Sequence, residues 1–182
     1  MMFWLINAAW AITGPQEWVA RAIPALFFLL SILLTYRLGI ELGDRRVGGR
    51  AALVLATTTA FAAFGAATMF DAMLTAATIG GLIGLARAAR GQAVHGWLIV
   101  AASIAFGLLS KGPVILIHLL PAAVLAPSWL PSPPRHWSRW YLGLLAGVAA
   151  GIALPLCWAI AAAKAGGPDF ANALLWQQTT GR

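Results

Sequence analysis

The feature that most constrains this chain is a series of long apolar runs with almost no charge inside them. The 182 residues hold only 12 Lys and Arg and 5 Asp and Glu, so charged residues make up 9% of the chain and apolar residues 61%. A soluble domain carries about 25% charged and about 45–50% apolar residues. The composition therefore excludes an ordinary soluble domain and a disordered chain. It predicts a chain whose solvent is mostly lipid.

The charge that remains is basic, with a formal net charge of +7. Nucleic-acid-binding proteins collect such charge in a dense patch or tract. Here the basic residues are scattered between apolar segments, so we expect no nucleic-acid partner. The single cysteine, Cys157, cannot form a disulfide within the chain.

Charged residues divide the chain into six apolar segments, and we expect each segment to form a helix that crosses the bilayer. They are residues 22–36, 51–70, 72–86, 91–110, 113–129 and 140–163. A span needs roughly 20 residues, and two of the segments hold only 15. The arginines beside these two must then snorkel, or the helix ends must lie in polar protein. The predicted fold class is all-α, a single multi-pass transmembrane helix bundle over residues 1–182, with about six spanning helices and a partial N-terminal segment.

The distribution of Lys and Arg between the loops predicts the orientation. One set of loops holds eight of them, namely Arg37, Arg45, Arg46, Arg50, Arg87, Arg90, Arg135 and Arg139. Because positive loops stay in the cytoplasm, we expect the opposite loops, both chain ends and residues 71 and 111 to lie outside. Residues 164–182 are then the start of an outside loop. An outside N-terminus without a signal peptide leads us to expect a fragment of a longer protein.

Asp71 is the most informative acid, because it lies where segment 72–86 begins. One interpretation is a first-turn or N-cap acid that stabilises the helix by about 1 kcal/mol. The other is a functional group, since an ionisable residue near membrane depth with apolar neighbours is usually functional. The spacing leaves both open.

Lys111 lies in a break between two apolar segments, with Pro113 two residues later. Lys111 suits the C-terminal end of one helix, and Pro113 suits the start of the next. The break is either a well-capped outside turn or a cation placed to meet a lipid phosphate. Glu41 and Asp44 lie among the arginines of the opposite loops, and we expect them to moderate that charge.

Two further residues are candidates for substrate binding. His118 is either a packing residue or a ligand, and because no second histidine lies on its side we predict no metal site. Arg182 ends a polar stretch and is either a solvated residue or a phosphate contact. The glycine stripes at positions 143, 147 and 151 and at 80 and 84 predict close helix packing.

Four motifs follow one another along the chain: FWLIN (3–7) before ARAIPAL (20–26), YRLG (36–39) before RR (45–46) and GRAAL (49–53), FDAML (70–74), and GLLSKGP (107–113). In this order they resemble the polyprenyl-phosphate-sugar glycosyltransferases. This superfamily contains the lipid A aminoarabinose transferases and the protein O-mannosyltransferases, and it has the multi-pass C-type fold. The departures are a Ser in place of Thr in the last motif and Pro24 shifted by one position.

The resemblance implies a bacterial inner-membrane enzyme that transfers a sugar at the outer face. The donor is a polyprenyl-phosphate sugar and the acceptor is a lipid, glycan or protein. It implies that Asp71 is a second acid of the site, that Lys111 and Arg182 bind the substrate, and that the intact enzyme can use a divalent metal. We place His118 with these substrate-binding residues.

The resemblance also indicates what this chain lacks. The family's main catalytic acid and one phosphate-binding lysine precede the first motif. We therefore expect the chain alone to be inactive. The alternatives are a transporter or permease fragment and a non-catalytic membrane assembly subunit.

Overall fold

The chain is almost entirely helical in the computed structural model, which describes residues 1–59, 70–130 and 136–172 and the side chains up to residue 167. Eight helices lie within these ranges: α1 (Met2–Thr13), α2 (Glu17–Leu42), α3 (Arg45–Thr57), α4 (Asp71–Ala89), α5 (Ala93–Lys111), α6 (Val114–Val124), α7 (Ala126–Trp129) and α8 (Trp137–Asn172). No strand occurs among the described residues. The all-α prediction is confirmed.

Four of the helices are long and apolar enough to cross a membrane. They are α2, α4, α5 and the Trp137–Gly167 part of α8. The 12-residue α1 and the 11-residue α6 are shorter apolar helices. The chain is thus a multi-pass membrane helix bundle, as its composition predicts.

Both segments predicted to be short belong to longer helices: 72–86 lies within the 19-residue α4, and 22–36 lies within the much longer α2. This helix has 26 residues, or about 39 Å at 1.5 Å per residue. It includes both flanking arginines, and Arg21 stays exposed at one end in an ion pair with Glu17 at 2.5 Å. The length problem therefore disappears because the helix continues past its charges.

Segment 113–129 differs from its prediction as a single helix, since α6 ends at Val124 and α7 begins at Ala126. Pro127 cannot donate a backbone hydrogen bond to Ala123, four residues earlier. The indole of Trp140 donates to the Ala123 carbonyl at 3.1 Å instead, and Trp129 donates to Ala122 at 2.8 Å. Side chains thus satisfy the carbonyls that the break releases.

The other bounds differ from their predictions mainly at the ends. Helix α3 begins at Arg45, six residues before the predicted segment 51–70, and it ends at Thr57 instead of continuing through that segment. Residues 60–69 lie outside the described ranges. The predicted helix 140–163 extends from Trp137 to Asn172, with a break at Gly167, where φ is +81°.

Helices α4 and α5 form the centre of the bundle and pack in antiparallel directions. A Cβ atom on Gly96 would lie 2.5 Å from the Ala88 nitrogen, and one on Gly84 would lie 2.8 Å from the Gly96 carbonyl oxygen. On α8, a Cβ at Gly143 or Gly151 would overlap Trp97 or Ile104 of α5. The predicted packing role of both glycine stripes is confirmed.

The antiparallel pair gives the bundle two distinct ends. Asp71 opens α4 and Arg87 lies 16 residues later, about 24 Å along the helix axis. The Asp71 end also holds the last residue of α5. The Arg87 end holds the last turn of α2, through Glu41, and the starts of α5 and α8, which meet where Trp97 and Trp140 pack at 5.0 Å.

Candidate functional site

An ion pair joins the acid and the cation that the sequence analysis singled out. Lys111 Nζ donates a hydrogen bond to Asp71 Oδ1. Asp71 lies in the first turn of α4 and Lys111 is the last residue of α5, so both predicted positions are confirmed. The sequence does not predict that the two side chains meet.

Local backbone chemistry fixes where each partner lies. Gly112 has φ +69° and its N–H bonds to the Leu108 carbonyl, which ends α5 directly after Lys111. Pro113 then caps α6, as predicted. Asp71 is at the positive end of the α4 dipole and Lys111 at the negative end of the α5 dipole, so each helix favours the charge that it carries.

The pair is accessible, with 52% of the Asp71 side chain and 41% of the Lys111 side chain exposed. A phosphate can therefore reach the ammonium, and a hydroxyl group can reach the carboxylate. Because a phosphate would compete with Asp71 for Lys111, the pair can exchange an internal contact for a contact with an anion.

The start of α1 lies beside this pair. The Met1 amino group donates to the Leu109 carbonyl at 3.2 Å, and the ring of Phe3 meets the edge of Phe70 at 5.8 Å. Partial burial lowers the pKa of the Met1 ammonium. The first motif of the sequence and the two motifs around residues 71 and 111 therefore converge at one end of the bundle.

An apolar groove of about 310 Å³ lies between α1 and α2. Leu5, Ile23, Leu26, Phe27 and Leu30 line it. Leu26 and Leu30 also contribute to the exposed apolar surface of the bundle, so the groove suits a hydrocarbon chain.

The other two predicted site residues, His118 and Arg182, have no described contact with this ion pair. His118 lies exposed on α6, and among the described residues no hydrogen bond or ion pair links it to Asp71 or Lys111. Arg182 lies outside the described residues. Their binding roles stay predictions.

The structure offers no ligand set for a divalent metal in the part of the chain that it describes. No group of three or more His, Cys, Asp or Glu residues lies together there.

A second ionic cluster lies at the opposite end, where Glu41 binds two arginines of α4. Its carboxylate accepts from Arg87 at 2.8 Å and from Arg90 at 3.1 Å, and Arg87 also contacts His95 at 3.4 Å. We expected Glu41 to moderate the arginine charge but not to join α2 to α4. The separation of 46 residues between Glu41 and Arg87 left no local signal for this contact.

The sequence of this chain matches a known protein family. Residues 1–161 match the model of a family described as dolichyl-phosphate-mannose-protein mannosyltransferase. The undecaprenyl phosphate-alpha-4-amino-4-deoxy-L-arabinose arabinosyl transferase of Erwinia tasmaniensis is 28% identical over 179 residues. The match covers 96% of this chain and 32% of the relative, so the chain spans about a third of the relative's length. No solved structure matches the chain.

Proposed function

This chain belongs to the dolichyl-phosphate-mannose-protein mannosyltransferase family, and we propose that it forms part of the membrane domain of a transferase that takes its sugar from a polyprenyl-phosphate donor. The name of the Erwinia relative, an undecaprenyl phosphate-linked arabinosyl transferase, supports a polyprenyl carrier. The apolar groove between α1 and α2 supports it as well, because a hydrocarbon chain needs such a surface.

The observation that carries the proposal is the exposed ion pair between Asp71 and Lys111. When an acceptor oxygen attacks the anomeric carbon, the bond from that carbon to the phosphate oxygen breaks and the phosphate leaves with the electron pair. Lys111 neutralises the charge that develops on this phosphate. Such a contact stabilises the transition state most where water is scarce.

Asp71 acts as the second acid of the site by orienting a hydroxyl of the sugar or of the acceptor. The proton of the attacking hydroxyl goes to a different carboxylate, the family's main catalytic acid, which serves as general base. Arg182 and His118 are further substrate contacts in this proposal.

Transfer takes place at the outer face of a bacterial inner membrane. The loops with eight basic residues support this orientation, because they put the Glu41 end in the cytoplasm and the Asp71 end outside. The acceptor is a lipid, a glycan or a protein. The sugar is a pentose, as in the name of the Erwinia relative, or a hexose, as in the family description.

The test is a transfer assay with the protein translated from the complete reading frame that contains this chain. Membranes that contain the protein are incubated with a radiolabelled polyprenyl-phosphate pentose or hexose. The labelled product is then counted for the wild type and for Asp71→Asn. We expect the substitution to lower transfer about 100-fold, which is the usual scale when a reacting group loses its positioning contact. Glu17→Gln, which removes another exposed and paired acid, should leave transfer unchanged.

Unchanged transfer in Asp71→Asn would reduce Asp71 to a helix-capping acid. Movement of the labelled lipid across the membrane without a covalent product would favour a transporter instead.

A further inference from the structure

The hairpin formed by α2 and α3 carries positive charge that no described acid compensates. Four arginines near the turn of this hairpin are exposed and lack an ion pair among the described residues: Arg37, Arg45, Arg46 and Arg50. The two acids nearby are occupied. Glu41 binds Arg87 and Arg90, and Asp44 accepts backbone hydrogen bonds from Arg46 at 2.7 Å and Val47 at 2.9 Å.

Two of these arginines lie on the same face of α3. Arg46, Gly49, Arg50 and Leu53 follow at i, i+3, i+4 and i+7, so they share one side of the helix. A Cβ atom on Gly49 would meet nothing within 4 Å. Two arginines therefore flank an open patch of backbone, and an exposed leucine lies one turn further along.

The opposite face of α3 is held against α2. A Cβ atom on Gly48 would lie 2.5 Å from the Tyr36 carbonyl oxygen. This close contact fixes the rotation of α3, so the face with Arg46, Gly49 and Arg50 must point away from α2.

We propose that this face of α3 binds the phosphate of an anionic phospholipid, with the headgroup over Gly49 between Arg46 and Arg50. Two like charges at i and i+4 destabilise a helix, and an anion between them removes that repulsion. Guanidinium groups bind phosphate oxygens through paired hydrogen bonds.

A lipid fits this face better than a free phosphate. Leu53 and Val54 follow the arginines and are 64% and 66% exposed, which gives the acyl chain an apolar surface directly below the headgroup. Basic pockets at membrane-spanning helices bind acidic headgroups in this way.

The test measures lipid binding to the purified protein from the complete reading frame that contains this chain, in neutral detergent. Native mass spectrometry follows the titration of phosphatidylglycerol and, separately, of phosphatidylcholine. We expect the chain to prefer phosphatidylglycerol. The variant Arg46→Gln with Arg50→Gln should weaken that binding roughly 25-fold, at about fivefold for each arginine.

Two further variants separate a built site from net charge. Arg21→Gln with Arg139→Gln removes the same charge from exposed positions elsewhere and should leave the affinity within a factor of about two. Gly49→Leu keeps every charge and improves helix propensity, but its side chain occupies the headgroup position and should abolish the preference for phosphatidylglycerol.

Three results would overturn the proposal. An equal loss in the Arg21 and Arg139 variant would show that only net charge acts. Unchanged binding in Gly49→Leu would exclude the site on α3. Binding of inorganic phosphate without retention of lipid would replace the lipid by a free anion.

Discussion

Lys111, the last residue of α5, donates a hydrogen bond to Asp71, which lies 40 residues earlier in the first turn of α4. The contact joins the negative end of one helix dipole to the positive end of the next. The cation and the acid therefore form one unit, and a substitution of either residue removes the ion-pair partner of the other.

Lys111→Gln should impair transfer more than it impairs folding. An exposed ion pair contributes about 0–1 kcal/mol to stability, whereas loss of a phosphate contact lowers transition-state stabilisation directly. We expect the KM for the donor to rise and kcat to fall. Steady-state kinetics of the protein from the complete reading frame, with Arg21→Gln as the control, measures both.

The double variant Asp71→Asn with Lys111→Gln tests whether the pair acts as a unit. Residues that act together give strongly non-additive losses, so the double variant should transfer about as slowly as the worse single variant. Losses in transition-state free energy that simply add would contradict the role of the pair.

Glu41→Gln should destabilise the bundle by about 1–3 kcal/mol, because it removes the negative charge and one of the two oxygens that accept from the arginines Arg87 and Arg90. The Glu41 side chain is 18% exposed and that of Arg87 is 28% exposed, so water compensates only in part. Unfolding by titration with a denaturing detergent measures the change. Glu17→Gln breaks a far more exposed pair and should cost less than about 1 kcal/mol; equal costs would show that the Glu41 cluster adds no stability.

Much of this architecture could be predicted from where the charges lie. Asp71 opens a helix and Lys111 closes one because charged residues favour helix ends in an apolar chain. The glycine stripes predicted close packing because small residues let membrane helices approach. Four motifs, each short, pointed to the right superfamily because their order along the chain is itself informative.

The contacts themselves could not be predicted from one sequence. Asp71 and Lys111 meet only because α4 and α5 are antiparallel and equal in length, at 19 residues each. The break after α6 has a local signal in Pro127. What stabilises it is the indole of Trp140, 17 residues after the Ala123 carbonyl that it binds, and this depends on how α8 packs.

Gly96→Ala should destabilise the centre of the bundle by about 1–3 kcal/mol through overpacking. The new methyl group would lie 2.5 Å from the Ala88 nitrogen and 2.6 Å from the Gly84 carbonyl oxygen, where backbone cannot yield cheaply. The thermal unfolding temperature in detergent should fall. Gly49→Ala is the matched control, since it adds a methyl group to an open helical position and should be neutral or gain up to about 1 kcal/mol; a similar fall in both would exclude overpacking as the cause.

Cysteine labelling tests the orientation on which the proposed reaction depends. In a Cys157→Ser background, single cysteines are introduced at Gln16 and Gln92, which are exposed at the starts of α2 and α5. A membrane-impermeant maleimide should label Gln16→Cys in intact cells and Gln92→Cys only after permeabilisation, because Gln92 lies at the arginine-rich end. Detergent-solubilised samples, in which both positions react, control for accessibility.

The reverse pattern of labelling would put Asp71 and Lys111 in the cytoplasm. Transfer at the outer face would then be excluded for this ion pair, since Asp71 and Lys111 lie at the end of the bundle opposite to Gln92.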